Sequence, residues 1–159
     1  MSKPKGFLMV TMEPPPALEE EFNDWYDTEH VPERKAVAGF ESATRFVCIA
    51  GWPRYVAFYD LRDVGVMDEP GYQAISGTRF SPWSKRILTR VRGLYRAYGE
   101  QVYPGHALTG SMAQLLLIRF RNIGTADEAS LVELIRRAYE TRADVRQVRV
   151  MRDLASVAG

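Results

Sequence analysis

Short apolar runs broken by proline and glycine organise the first hundred residues. Residues 7–12 are apolar and partly β-branched, with Gly6 before them and Glu13-Pro14-Pro15-Pro16 after them, the pattern of a buried strand ended by a rigid corner. The apolar spacing then changes. Leu18, Phe22, Trp25 and Tyr26 fall on one stripe at 100° per residue, Pro16 suits a first helical turn, and Glu19, Glu20 and Glu21 place negative charge at a helix N-terminus. A helix is therefore expected over residues 16–30, stopped by Val31-Pro32. Residues 40–49 and 54–61 read as a hairpin around Gly51-Trp52-Pro53. After a broken stretch, 64–77, Ser81-Pro82 supplies an N-cap followed by proline at the first helical position. Trp83, Ile87 and Val91 mark the inner side of this second helix, which ends by Gly93. Residues 94–103 read as a fourth strand.

The order β-α-β-β-α-β is the split βαβ arrangement, so the expected fold is α+β and ferredoxin-like: a four-stranded antiparallel sheet with both helices on one face. Alternation gives the other face Tyr, Phe and Trp side chains that a monomer would expose. A homodimer closed face to face into an α/β barrel follows from that. This first unit spans 6–103. Beyond a turn-rich link, residues 111–159 begin the pattern again. They show an apolar run at 113–120, a capping-box signature in Thr125-Ala126-Asp127-Glu128, a helical stripe of Leu131, Leu134, Ile135 and Ala138, and alternation over 145–151. This is a partial second βαβ repeat.

Charge narrows the partners. The 21 Lys+Arg and 20 Asp+Glu leave a formal charge of +1, which gives no electrostatic footprint for nucleic acid or an acidic membrane surface. The apolar run after the two N-terminal lysines is too short for a leader or a membrane span, so a cytoplasmic location is expected. Cys48, the single cysteine, sits in an apolar run and reads as a buried thiol. Two histidines in unlike contexts, with no His-x-x-x-His pair, no Gly-rich phosphate loop and no Gly-x-Ser-x-Gly elbow, argue for no metal centre and no cofactor.

Candidate chemistry concentrates where the first helix ends. Glu29 is expected near the centre of the buried stripe, paired with Arg45, Arg54 or His30 or else titrating unusually. His30 lies at the stripe's edge. The helix C-terminus and a nearby carboxylate would raise its pKa, and it reads either as a general acid/base or as a histidine that bonds the last helix carbonyls or its own dimer partner. His106, in a Pro-Gly loop, is expected to face solvent. Tyr55, Tyr59, Tyr95 and Tyr98, with Trp52 and Trp83, either line a small aromatic pocket or simply build core and interface.

The phrase Asn23-Asp24-Trp25-Tyr26-Asp27-Thr28-Glu29-His30-Val31-Pro32-Glu33-Arg34, followed by Gly39-Phe40, Pro53-Arg54-Tyr55-Val56-Ala57-Phe58-Tyr59 and Ser81-Pro82-Trp83, resembles an EthD-like member of the dimeric α/β-barrel superfamily. The resemblance implies a homodimer with a small pocket between sheet and helices. It also brings relatives that are cofactor-free monooxygenases, lactone isomerases and polyketide cyclases, beside many without known activity. Two functions are open. The first is a cofactor-independent enzyme (isomerase, lyase, cyclase or monooxygenase type) acting on a small apolar carbonyl or aromatic compound. His30 would be its proton shuttle, Glu29 would orient it, Tyr26 or Tyr59 would donate a hydrogen bond, and Trp25, Tyr55, Tyr59 and Trp83 would hold the substrate. The second is a non-catalytic dimer that binds a small ligand or accompanies a degradation pathway.

Overall fold

The computed structural model describes residues 3–154; the termini, including the end of the expected second repeat, lie outside the described residues. Strand β1 (Gly6–Glu13) leads through a 3-10 turn (Pro16–Leu18) into α1 (Glu19–Trp25), a π-helical turn (Tyr26–His30) and α2 (Val31–Lys35). Strands β2 (Phe40–Val47) and β3 (Tyr55–Leu61) form the hairpin. A 3-10 turn (Val64–Asp68), α3 (Pro70–Gln73) and a second 3-10 turn (Gly77–Arg79) then lead to α4 (Pro82–Leu88) and β4 (Arg92–Tyr103). Helix α5 (Thr125–Ile135), a π turn (Arg136–Glu140) and β5 (Val150–Asp153) complete the described chain.

All pairings are antiparallel, and the single sheet has the order β2-β3-β1-β4-β5. The sheet thus has five strands rather than the expected four, because the chain returns to add β5 at the edge of β4. Gly99 permits this: a Cβ there would lie 2.0 Å from the Arg152 carbonyl oxygen. Phe22, Trp25 and Tyr26 of the first helical segment and Ile87 of α4 pack on Leu8, Met12, Tyr55, Ala57, Tyr59 and Leu61. Alternation along the strands puts Phe7, Met9, Phe58 and Ala97 on the opposite face.

That opposite face is not left open. Met151 packs against the Phe7, Met9, Phe58, Ala97 cluster, and the Arg149 guanidinium lies 5.2 Å from the Phe58 ring centre. The Asp60 carboxylate, fully buried, accepts from the Ser42 hydroxyl, from Thr109 N–H at 2.6 Å and from Arg149 Nη2 at 2.6 Å. Gln101 exchanges two bonds with the Ala107 backbone, at 2.8 and 2.9 Å. Residues past β4 therefore cover much of the apolar surface that pattern alone leaves for a second chain.

Further departures are local. Residues 113–120 form no strand, and Leu115, Leu116, Leu117, Ile118 and Phe120 are exposed; alternation over 145–151 yields strand only from Val150. The capping box is not made: Gly124 is the N-cap of α5 without a side-chain bond, and Glu128 is held by Arg152. Cys48 is only partly buried, because it lies just past the end of the edge strand β2. His106 is exposed, as its loop context predicts. Among the described residues no helix is long and apolar enough to cross a membrane, and no three His, Cys, Asp or Glu side chains form a group able to hold a metal ion.

Candidate functional site: a buried polar cluster under the first helix

The helix does not stop at Val31-Pro32. Val31 N–H bonds the Tyr26 carbonyl five residues back, and the helical path continues to Lys35 with Pro32 in the first turn of α2. The wider π turn falls just before Pro32, a residue that has no N–H to give and whose ring crowds the preceding turn. It also rotates the inward face by about one residue, so that Phe22, Tyr26, His30 and Arg34, spaced by four, are all buried. Glu29 is thereby turned off the stripe where regular periodicity puts it.

Glu29 accepts from the Ser81 hydroxyl, and from Ser84 Oγ at 3.4 Å, at the start of α4. It pairs with none of its expected partners. Arg45 binds Asp27 and Asn23, each at 2.6 Å, and Arg54 lies 3.0 Å from Glu19. His30 is 7% exposed, and its ring lies 4.3 Å from the Trp25 ring and edge-on to Tyr26 at 5.2 Å, centre to centre. Its Nδ1 has no hydrogen-bond partner. Burial, followed by the positive charges of Arg34 and Arg45, holds the imidazole well below its ordinary pKa. The expected upward shift is thus reversed: desolvation and two cations outweigh the helix end, and the carboxylate that was to oppose them faces elsewhere.

Tyr26 is fully buried beneath the Arg45 guanidinium, 4.3 Å above its ring, and burial drives its phenol well above the ordinary range. Tyr59 comes from β3, and burial raises its phenol to about 12. Its hydroxyl meets only the Tyr26 phenol, in a contact short of good hydrogen-bond geometry through which each phenol influences the other's ionisation. Arg34 is 2% exposed; its Nη1 makes no hydrogen bond, the nearest carboxylate oxygen being Glu33 Oε2 at 3.7 Å. Its guanidinium carbon sits 5.7 and 5.8 Å from the ring centres of Tyr72 and Phe80.

The other expected substrate residues disperse. Trp25 is wholly buried and donates from Nε1 to Ser84 Oγ at 3.0 Å, which makes it core beside the cluster. Tyr55 bonds Glu19 at 2.5 Å and receives Asn23 Nδ2 at 3.2 Å, nearer the helix start. Trp83 donates to Glu21 at 3.1 Å beside Arg86, tying α4 to α1. Trp52 is exposed, and Tyr95 bonds Asp153 on the far face. Two open clefts lie away from the cluster. One of about 230 Å³ lies between Tyr103-Pro104 and residues 145–148, and one of about 320 Å³ is lined by Gln73, Ser76, Gly77, Thr78 and Arg79, the last adjacent in the chain to Phe80.

Tyr26, His30, Arg34 and Tyr59 thus make a closed polar group in an aromatic surround: one neutral imidazole, two un-ionised phenols and a cation. Such a group can accept a proton at the imidazole and stabilise negative charge on oxygen, both strengthened by low local dielectric. Arg34 is the participant that pattern analysis missed, and Arg45, expected beside Glu29, lies over the Tyr26 ring instead. Arg34 had a signal, four residues beyond His30, had the helix been carried through Pro32. No protein-family model matches the chain, and neither a curated protein nor a solved structure matches it significantly.

Proposed function

We propose that the chain is a cofactor-independent enzyme acting on a small, largely apolar carbonyl or aromatic compound, with neutral His30 as the proton-accepting base. The observation that carries this is the pair of buried polar atoms without a hydrogen bond, His30 Nδ1 and Arg34 Nη1, beside the contacting Tyr26 and Tyr59 phenols. Buried polar groups are almost always bonded, so an exception calls for a reason; Arg149 Nε, another such atom, has a structural one in the Asp60 pair, whereas the His30 group has none. In an isomerisation of a β,γ-unsaturated ketone His30 takes a proton from the carbon between carbonyl and double bond, the Tyr59 and Tyr26 phenols donate to the dienolate oxygen, and the proton returns to the γ carbon as the double bond moves into conjugation. Electrons and atoms balance without a further reagent. Imidazolium beside Arg34 and Arg45 is disfavoured on its own, and the enolate formed in the same step offsets that. Glu29, turned toward Ser81, has no part in orienting the base.

The β2-β3-β1-β4 order with helices on one face supports the ferredoxin-like part of the reading, while the EthD-like assignment and a cytoplasmic enzyme of that kind rest on the sequence. A homodimer belongs to the same proposal. Its support has moved from the sheet face to the run Leu115 to Ile118 and Phe120, each at least 40% exposed. The test of chemistry is deuterium exchange at the carbon next to the carbonyl of small aryl ketones, followed by NMR in D2O. The parent accelerates it and His30→Gln, equally folded, does not; equal rates in both would end the catalytic reading. The near-complete burial of His30 favours the second reading, a non-catalytic binder, in which ketones bind without exchange.

A further inference from the structure

We propose that the cluster's ligand carries a carboxylate, and that Arg34 is the residue that receives it. The inference rests on the reading of this cluster as a substrate site and adds the substrate class to it. A buried guanidinium is ordinarily paired, since an uncompensated charge out of water costs several kcal/mol. Arg34 is held only loosely: it is 2% exposed, its Nη1 makes no hydrogen bond, and its one ion pair, to the partly exposed Glu33 carboxylate, is long at 3.7 Å.

What holds Arg34 is aromatic. The Tyr72 and Phe80 rings approach its guanidinium carbon at 5.7 and 5.8 Å. Rings that engage the guanidinium face leave its in-plane N–H groups free, and those form the fork that meets a planar carboxylate with two parallel bonds. The surrounding charge agrees: Arg45 is the other cation acting on the cluster, His30 is neutral, and Glu29 is committed to Ser81. The Tyr59 phenol, kept un-ionised by burial, adds a neutral donor. Phe40 stacks on Tyr72 and packs edge-on against Tyr59, so the body behind the carboxylate is met by rings and is apolar or aromatic.

The experiment compares benzoate with its neutral isostere benzamide, by titration calorimetry on the intact chain at pH 7. Benzoate should bind at least tenfold more tightly than benzamide. Arg34→Gln should abolish that preference, and Arg34→Lys should keep part of it. Equal binding of the two probes by the parent, or a preference that survives in Arg34→Gln, would overturn the proposal. Should Arg34→Gln fail to fold, the arginine side-chain 15N signals of the parent decide: benzoate must shift one buried guanidinium and benzamide must not. Because no arm reads turnover, loss of the catalytic reading in the ketone exchange assay leaves this result standing, and the reverse holds as well.

Discussion

The imidazole of His30 lies over the indole of Trp25, ring centres 4.3 Å apart and planes inclined by 36°, so that a titratable group rests on a wholly buried aromatic of the first helix. An imidazolium there would lose its hydration and gain two cationic neighbours. The His30 pKa in the folded chain is therefore below its ordinary 6.5. The unfolded chain then takes up the proton first, and stability falls as pH drops below about 6.5, until the folded pKa is reached. NMR titration should show the low midpoint, and His30→Gln should remove this part of the acid slope. A midpoint above 6.5 would refute the buried, cation-flanked geometry.

Glu29 faces α4 rather than the imidazole. Glu29→Gln should leave the His30 titration midpoint where it is, while loosening the Ser81 and Ser84 contacts at a cost of about 1 kcal/mol. A marked fall in the His30 midpoint would show that the carboxylate supports the imidazolium after all.

Trp25→Ala removes a fully buried indole and the Nε1 bond to Ser84, and should cost about 3–5 kcal/mol in urea denaturation. An unchanged midpoint would mean the ring is not core.

Asp60 binds the covering segment to the sheet. Its burial would raise the carboxyl's pKa, but the Ser42 hydroxyl, the Thr109 N–H and Arg149 prevail and hold it below the usual range. That contribution to stability is present above the unfolded pKa and is lost as pH falls through the folded one. Asp60→Ala leaves Arg149 buried without its partner and should cost about 3–5 kcal/mol, read as a lowered urea midpoint. Proteolytic cutting should begin within 104–123. Resistance equal to the parent's would mean that Gln101 and β5 suffice to hold the segment.

Gly99→Ala drives a Cβ into the Arg152 carbonyl and should release β5 while β1 to β4 stay paired. Amide exchange should quicken at the β5 residues Met151 and Arg152 and remain slow at Leu8 and Tyr59; uniform acceleration would instead mean that the fold unravels as one unit.

Strand alternation and proline-glycine punctuation made β1 to β4 and α4 legible, because each of these elements is decided by its own few residues. Ser81-Pro82 does cap α4, with Ser81 Oγ accepting from Ser84 N at 2.9 Å. The candidate site was half legible. Tyr26, His30 and Tyr59 could be named from spacing, but the inward turn of His30 and outward turn of Glu29 depend on a π turn that period 3.6 does not anticipate. The spacing of Phe22, Tyr26, His30 and Arg34 by four is the trace it leaves. The covering segment was not legible, since Asp60 meets Thr109 and Arg149 at separations of 49 and 89 residues, and no local window contains both partners.

The same long separations set an order of events during synthesis. Phe7, Met9, Phe58 and Ala97 can assemble on the sheet once β4 has emerged, yet Arg149 and Met151, which shield them, are made later. At about 5–20 residues per second the growing chain carries a bare greasy surface for some seconds. Slowing translation past Tyr103 should therefore lower the yield of soluble chain, and holding chaperones should engage that interval above all others.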